Sequence, residues 1–135
     1  MKTKFSIFIC LIGLGVSQSF AQITASTVVK FKDTVMTEIW QDLKGTVLEN
    51  AQVTEKTYDA KKNNTVALFK TWKSEAWINN SQEVYSYNEK NVATAKLRQY
   101  WDKSQSAWMN DNQTTWTYDA AGNLVTELYQ KWDLN

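Results

Sequence analysis

The chain has 135 residues, with 15 lysines and arginines against 14 aspartates and glutamates, one cysteine, and neither histidine nor proline. This length corresponds to one domain, and the lack of histidine excludes Ser–His and Cys–His nucleophile pairs and imidazole metal ligands. The near-neutral charge argues against nucleic acid as a partner, because such a partner requires a basic surface.

Residues 1–21 are predicted to be a secretory signal peptide. Two lysines precede an apolar stretch, Phe5 to Val16, and Ser19 and Ala21 place small residues where signal peptidase cleaves. The apolar stretch is too short to span a membrane as a mature helix. We therefore expect export to the periplasm or out of the cell, and a single mature domain over 22–135 without a membrane span.

Cleavage would change the composition of the protein. Removing Lys2 and Lys4 leaves 13 basic against 14 acidic residues, and Cys10 would leave with the peptide. The mature chain would then hold no thiol for a disulfide or a thiolate metal site, and we expect neither a cofactor nor a metal. All 7 tryptophans and 6 tyrosines remain, which predicts a folded domain rich in aromatic packing.

The N-terminal part of this domain favours a hairpin. Thr27 to Lys32 and Val35 to Trp40 are predicted strands, with Asp33-Thr34 as the turn between them. A helix over Thr34 to Leu43 is the alternative.

Downstream, three segments share one spacing. An apolar residue is followed by Asn after two positions and Tyr after eight more, then Leu ten and Trp fourteen positions beyond the Tyr. The copies are Leu48-Asn50-Tyr58-Leu68-Trp72, Trp77-Asn79-Tyr87-Leu97-Trp101 and Trp108-Asn110-Tyr118-Leu128-Trp132. A half copy, Met36 and Trp40, precedes them. Agreement at this many positions indicates a repeat of roughly 30 residues.

The residue after each Tyr predicts a turn. Asp119-Ala120-Ala121-Gly122 suits a type I turn closed by a left-handed residue, and Asn91 takes the place of Gly122 in the second copy. In the first copy the turn, Asp59 to Asn64, is expected to be one residue longer. Asp59, Asn88 and Asp119 are therefore predicted turn residues, and Asp119 alone offers too few carboxylates for calcium.

Pairing the strands outward from these turns predicts the contacts across the sheet. Trp72 faces Trp77, Trp101 faces Trp108, Gln99 faces Asn110, and Trp116 faces Thr126. Because side chains alternate between faces, one face is predicted to carry Trp72, Trp77, Trp101, Trp108, Trp116, Trp132, Tyr85, Tyr87, Tyr118, Leu68, Leu97, Leu124 and Leu128.

The fold class that follows is all-β. We predict an antiparallel β-meander of about eight strands, each roughly 6 to 11 residues long, as an open twisted sheet, with an up-and-down barrel as the alternative. No partner strand is expected beyond Trp132, so the C-terminal strand is predicted to present a free edge. A protein partner or a second copy of the chain could add to this edge.

The third copy, Thr115 to Leu124, resembles the Tyr-Asp repeat of bacterial surface and toxin-carrier proteins. Over residues 36–135 the whole frame, with its paired Trp and Trp-x-Asn step, more closely resembles small secreted repeat proteins of Bacteroides-group bacteria, which are largely uncharacterised. This resemblance implies β-sheet shells or extended surfaces and supplies no catalytic residues.

The aromatic residues are the candidate ligand contacts. Trp116 ranks first because its equivalents in the other copies are Lys56 and Tyr85, so the repeat explains it least. The full candidate set is Trp116, Trp108, Trp101, Tyr118 and Tyr85. The recurring tryptophans are also explained by cross-strand pairs that stabilise hairpins.

These observations predict an exported, non-enzymatic protein with a structural or protein-interaction role at the cell envelope or outside the cell. Glycoside hydrolysis would require two carboxylates in one cleft, and the predicted pairing places Glu83 and Asp111 on opposite faces. The alternative function is a carbohydrate-binding module that stacks sugars on the aromatic face.

Overall fold

In the computed structural model, which describes residues 25–133, eight strands form one antiparallel sheet whose spatial order follows the chain order. The strands are β1 (Ala25–Lys32), β2 (Val35–Lys44), β3 (Val47–Tyr58), β4 (Asn64–Lys73), β5 (Ala76–Tyr87), β6 (Ala93–Asp102), β7 (Ala107–Tyr118) and β8 (Leu124–Lys131). Within these residues there is no helix, and β1 does not pair with β8. The predicted open meander is confirmed, and the closed alternative is wrong. The predicted signal peptide lies outside the described residues.

The N-terminal hairpin is formed by β1 and β2, which pair directly from Lys32↔Val35 onward. Asp33 in the turn has a positive φ of 53°, a conformation that aspartate tolerates better than most residues. The strand prediction for this region is confirmed and the helix over 34–43 is wrong. Alternating Val, Thr and Ile side chains favour the strand here.

Each of the three long strands β3, β5 and β7 contains a β-bulge. The register skips one residue directly after the recurring asparagine, and the skipped residues are Ala51, Asn80 and Asp111. A second set of bulges skips Thr65, Thr94 and Val125, shortly after the turns at 59–63, 88–92 and 119–123. The extra residue makes each long strand 12 residues, slightly longer than predicted.

These bulges correct the predicted faces. Paired residues share a face, and an unpaired residue reverses the alternation along its strand. The first face, the tryptophan face, carries Trp72, Trp77, Trp101 and Trp108 with Leu68, Leu97 and Leu128. The second, the tyrosine face, carries Tyr85, Tyr87, Trp116, Tyr118 and Leu124. The prediction that both sets lie on one face is therefore wrong.

One end of the sheet holds apolar cross-strand pairs beside its turns, and we call it the apolar-pair end. Trp72 faces Trp77 and Trp101 faces Trp108, as predicted. The corresponding position in the first hairpin is Leu43, which faces Leu48. The predicted half copy is therefore out of register, because Trp40 faces Gln52 on the tyrosine face instead.

At the opposite end, the Asx end, three turns have the same hydrogen bonds. The N–H groups of Lys62, Asn91 and Gly122 donate to the carbonyls of Asp59, Asn88 and Asp119 at 3.0 Å. These three donors all have positive φ, of 67°, 61° and 90°. The turn prediction is confirmed, but the first turn is not longer than the others, because Asp59 N–H donates to Asn63 as Asp119 N–H donates to Asn123.

Few residues of this single-layer sheet are fully shielded from water, although most residues of β4 to β7 are partly shielded. Among the described residues, Val53, Ala67, Ser81 and Thr114 are buried, and no large side chain is fully buried. Both faces therefore lie in solvent, and the ladder hydrogen bonds and cross-strand side-chain pairs carry much of the stabilisation. An open sheet of this kind leaves its terminal strands with one neighbour each.

Candidate functional site

Strand β8 is exposed along its whole length. All eight of its residues are exposed, whereas in the neighbouring strand β7 only Thr117 is exposed. The exposed fractions are 53% for Leu124, 61% for Val125, 53% for Leu128 and 58% for Tyr129. We call these four residues the β8 patch. Apolar side chains on an exposed edge strand are typical of a surface that another protein covers.

The backbone of β8 has a defined outward side. The N–H of Trp132 donates to the carbonyl of Asp111 on β7 at 2.9 Å. Successive residues of a strand direct their backbone groups to opposite edges, and the β7–β8 register is regular from Thr126 to Lys131. Leu128 and Gln130 therefore bond to β7. The backbone groups of Glu127, Tyr129 and Lys131 point away from it, and these three residues form the free edge.

The side chains of the free edge lie on the tyrosine face and carry both charges. Glu127 pairs with Trp116 across the β7–β8 ladder, and the indole Nε1 of Trp116 donates to Glu127 Oε2 at 3.0 Å. This contact holds the highest-ranked ligand candidate beside the free edge. The predicted partner of Trp116 was Thr126, and the bulge at Val125 explains the shift of one residue.

A concavity of about 510 Å³ adjoins the end of β8. Strand β8 ends at Lys131, which pairs with Asn112. The concavity lies just beyond this pair, beside the first residues of β7. Its lining is Tyr100, Asp102, Gln105, Trp108, Met109, Asn110, Trp132 and Asp133. The concavity thus extends the uncovered edge from β8 onto the beginning of β7.

The sheet does not bring the five predicted ligand residues together. The Trp101 and Trp108 rings lie on the tryptophan face with centroids 5.0 Å apart and planes at 67°, an edge-to-face contact rather than two coplanar rings. Trp116, Tyr118 and Tyr85 lie on the tyrosine face. The Tyr118 hydroxyl donates to the carbonyl of Ala93 at 2.9 Å, which ties β7 to β6.

A charged network crosses the tyrosine face. Arg98 lies 3.9 Å from Glu83 and 3.6 Å from Asp111, and Lys96 lies 3.9 Å from Glu83. The two carboxylates therefore share a face, contrary to the prediction, because the bulge at Asn80 moves Glu83 from the tryptophan face to the tyrosine face. The Tyr85 hydroxyl donates to Glu83 at 2.6 Å, and burial together with this carboxylate raises the pKa of Tyr85 above its usual value.

Amide side chains form a ladder on the tryptophan face. Gln82 Nε2 donates to Gln99 at 2.7 Å, and Gln99 Nε2 donates to Asn110 at 2.8 Å. Gln41 donates to Asn50 in the same way in the first hairpin. The recurring asparagine thus marks the residue before each bulge. This Trp-x-Asn step was the sequence signal from which the reversal of faces could have been inferred.

Comparison with known proteins establishes the fold. No family model and no curated protein matches the chain. It is similar to a DUF3836 family protein from Bacteroides vulgatus (TM-score 0.52, 17% identity, 80% of this chain and 99% of that one). It is also similar to a protein of unknown function from Bacteroides fragilis (TM-score 0.57, 14% identity, 96% and 82%). A DUF3836 protein from Parabacteroides distasonis matches with TM-score 0.47, 18% identity, 61% and 72% coverage.

These structural neighbours come from Bacteroides-group bacteria, in line with the resemblance drawn from the repeat, and their function is unknown. Over residues 25–133, no helix is both long and apolar enough to cross a membrane.

Proposed function

We propose that this chain is an exported, non-enzymatic β-repeat protein that binds protein strands through the free edge of β8. The observation that supports the proposal is the combination of outward backbone groups with the exposed β8 patch. An added strand would receive hydrogen bonds from the backbone, and the patch would contribute apolar contact and side-chain specificity.

The surroundings of the polar side chains support a non-enzymatic role. Glu83 and Asp111 are each engaged with Arg98, so neither carboxylate is left to work as a general acid or base opposite the other. The edge-to-face geometry of Trp101 and Trp108 likewise offers a sugar ring no pair of coplanar indoles.

Export follows from the predicted signal peptide and has its own test. Intact-mass measurement of the protein from the periplasm or the medium should give a chain that begins at Gln22. A cytoplasmic protein of full mass would contradict this part of the proposal.

The edge itself is tested by Tyr129→Pro. The Tyr129 N–H points away from β7, so proline removes no ladder bond within the sheet and blocks an incoming strand. The variant should keep the urea midpoint of the wild type and lose association, measured by light scattering and by pull-down from envelope extracts. Leu128→Pro is the matched control, because the Leu128 N–H points to β7 and its loss should lower the urea midpoint. Equal association by wild type and Tyr129→Pro would contradict the proposal.

A further inference from the structure

We propose that the strand bound by the free edge is β8 of a second copy of this chain, antiparallel, with a twofold axis at Tyr129. This inference rests on the proposed function, because it names the partner of the same edge. It follows from the positions of the outward residues and from their charges.

Antiparallel pairing requires outward residues of one copy to face outward residues of the other. With Tyr129 facing its counterpart, Glu127 faces Lys131 of the second copy and Lys131 faces Glu127. All three outward residues of each copy are then paired. The opposite charges lie directly across from each other on the tyrosine face, twice in the dimer, an arrangement that stabilises an antiparallel pair.

The neighbouring registers lack this complementarity. A shift of two residues in one direction places Glu127 opposite Tyr129 and Lys131 opposite Val125, the unpaired residue of a bulge. A shift in the other direction places Glu127 opposite Asp133, which brings like charges together. Shifts by one residue would place inward backbone groups opposite outward ones.

The same register covers apolar surface on the tryptophan face. Leu128, which is 53% exposed, lies opposite Gln130 of the second copy, and the 37% exposed Trp132 lies opposite Thr126. A twofold contact uses the one β8 edge of each copy, so association through β8 closes at two copies instead of continuing into a fibre. Since one strand pair is a small interface, we expect a reversible, concentration-dependent dimer.

Charge exchange tests the register. Sedimentation velocity over a concentration series should show the wild-type chain passing from monomer to dimer. Glu127→Lys and Lys131→Glu should each raise the dissociation constant of the dimer about tenfold, because two attractive pairs become repulsive. The double variant E127K/K131E restores opposite charges and should recover dimerisation to within about threefold of the wild type. If the dissociation constant of the double variant rose by the product of the two single-variant increases, the proposed register would be overturned.

The matched control is Glu49→Lys, which makes the same charge change on β3, where Glu49 lies 3.0 Å from Lys44 at the surface. It should leave the dissociation constant unchanged. Urea midpoints of all variants separate weakened association from loss of the fold. If Glu49→Lys raised the dissociation constant as much as Glu127→Lys, the effect would be due to net charge and the inference would be overturned.

A thiol placed on the axis gives a second measurement. In a Cys10→Ser background, Tyr129→Cys brings the two thiols opposite each other at the Cα separation that disulfides accept. Mild oxidation should convert it rapidly to a covalent dimer. Thr126→Cys is the control, because its two thiols would be six residues apart along the antiparallel pair, about 20 Å. Equal rates for both variants would contradict the twofold axis.

These outcomes also separate the inference from the proposed function. A protein that stays monomeric at every concentration, and whose pull-down partner is lost in Tyr129→Pro, would overturn the self-pairing and leave the strand-binding edge standing. A dimer that Tyr129→Pro does not affect, with no partner lost, would overturn both.

Discussion

At the apolar-pair end of the sheet, large side chains face each other beside turns of different lengths. At the Asx end, a single acidic or amide side chain organises each of the three turns after β3, β5 and β7, which have one length. The apolar-pair turns span two residues after β2 and β4 and four residues after β6. The Asx turns after β3, β5 and β7 have identical backbone hydrogen bonds. Apolar contact across the strands therefore tolerates a change in turn length, and the four-residue turn after β6 has its own hydrogen bonds to Asp102. The shared hydrogen bonds of the Asx turns, in contrast, require one length.

The side chains of the three Asx turns show why the length of these turns is constant. Asp119 Oδ1 accepts the N–H of Asn123 at 2.8 Å, and Asn88 Oδ1 accepts the N–H of Val92 at 3.0 Å. Each acceptor reaches a donor four residues on, and an insertion between them would separate the two. The contrast explains why the sequence frame varies only after each Trp.

The largest expected effect lies at the apolar-pair end. Trp101→Ala removes one ring of the 5.0 Å pair and should lower the free energy of unfolding by about 2 kcal/mol, below the range for fully buried rings. A double-mutant cycle with Trp108→Ala should give a coupling of about 1 kcal/mol. Urea denaturation measures both. Trp40→Ala, at a ring that is 46% exposed, is the control and should cost less. Equal losses of unfolding free energy in Trp40→Ala and Trp101→Ala would contradict a stabilising role of the paired rings at the apolar-pair end.

The next effect tests backbone conformation at the Asx end. Gly122 has φ of 90° with no atom within 4 Å of an added Cβ, so Gly122→Ala should destabilise the protein by about 1–2 kcal/mol through backbone strain alone. Lys62 occupies the same position of the first turn with φ of 67°. Lys62→Gly should therefore raise stability by about 0.5 kcal/mol. Effects of the same sign at the two positions would contradict the equivalence of the turns.

A smaller effect concerns the hydroxyl that ties β7 to β6. Tyr118→Phe removes the donor to the Ala93 carbonyl at 2.9 Å and should cost about 1 kcal/mol. Tyr129→Phe, at an exposed hydroxyl on β8, should stay within about 0.5 kcal/mol of the wild type. Thermal or urea unfolding compares the two variants, and a larger loss at Tyr129 would be evidence against this contact.

The smallest effect is the pH dependence of the Asx turns. The Asn63 and Asn123 hydrogen bonds hold the pKa of Asp59 and Asp119 below its usual value of 3.8. As pH falls, the unfolded chain therefore binds protons at these carboxylates before the folded protein does. The contribution of these groups to the free energy of unfolding is complete above the unfolded pKa. It is lost as pH falls from near 4 through the lowered folded pKa.

The variant D59N/D119N retains the turn geometry that Asn88 already provides, and removes both carboxylates. Its urea midpoint should decline less than that of the wild type as pH falls below 4. A decline equal to that of the wild type would show that other groups cause the acid sensitivity.

Much of the fold was accessible from the sequence because its determinants are local. The Asx turns follow from Asp59, Asn88 and Asp119, and the Trp72–Trp77 and Trp101–Trp108 pairs follow from counting outward from adjacent turns. The edge position of β8 was an expectation drawn from the frame, and among the described residues β8 pairs with β7 alone. The contact between Trp116 and Glu127 was not, because it depends on a bulge in a neighbouring strand.

The sequence by itself thus determined an antiparallel meander and its turns, since period-two alternation and turn chemistry act over a few residues. The tertiary structure alone decided which face each aromatic side chain occupies and which backbone groups of β8 point outward. The physical reason is that one unpaired residue in a strand reverses every side chain beyond it.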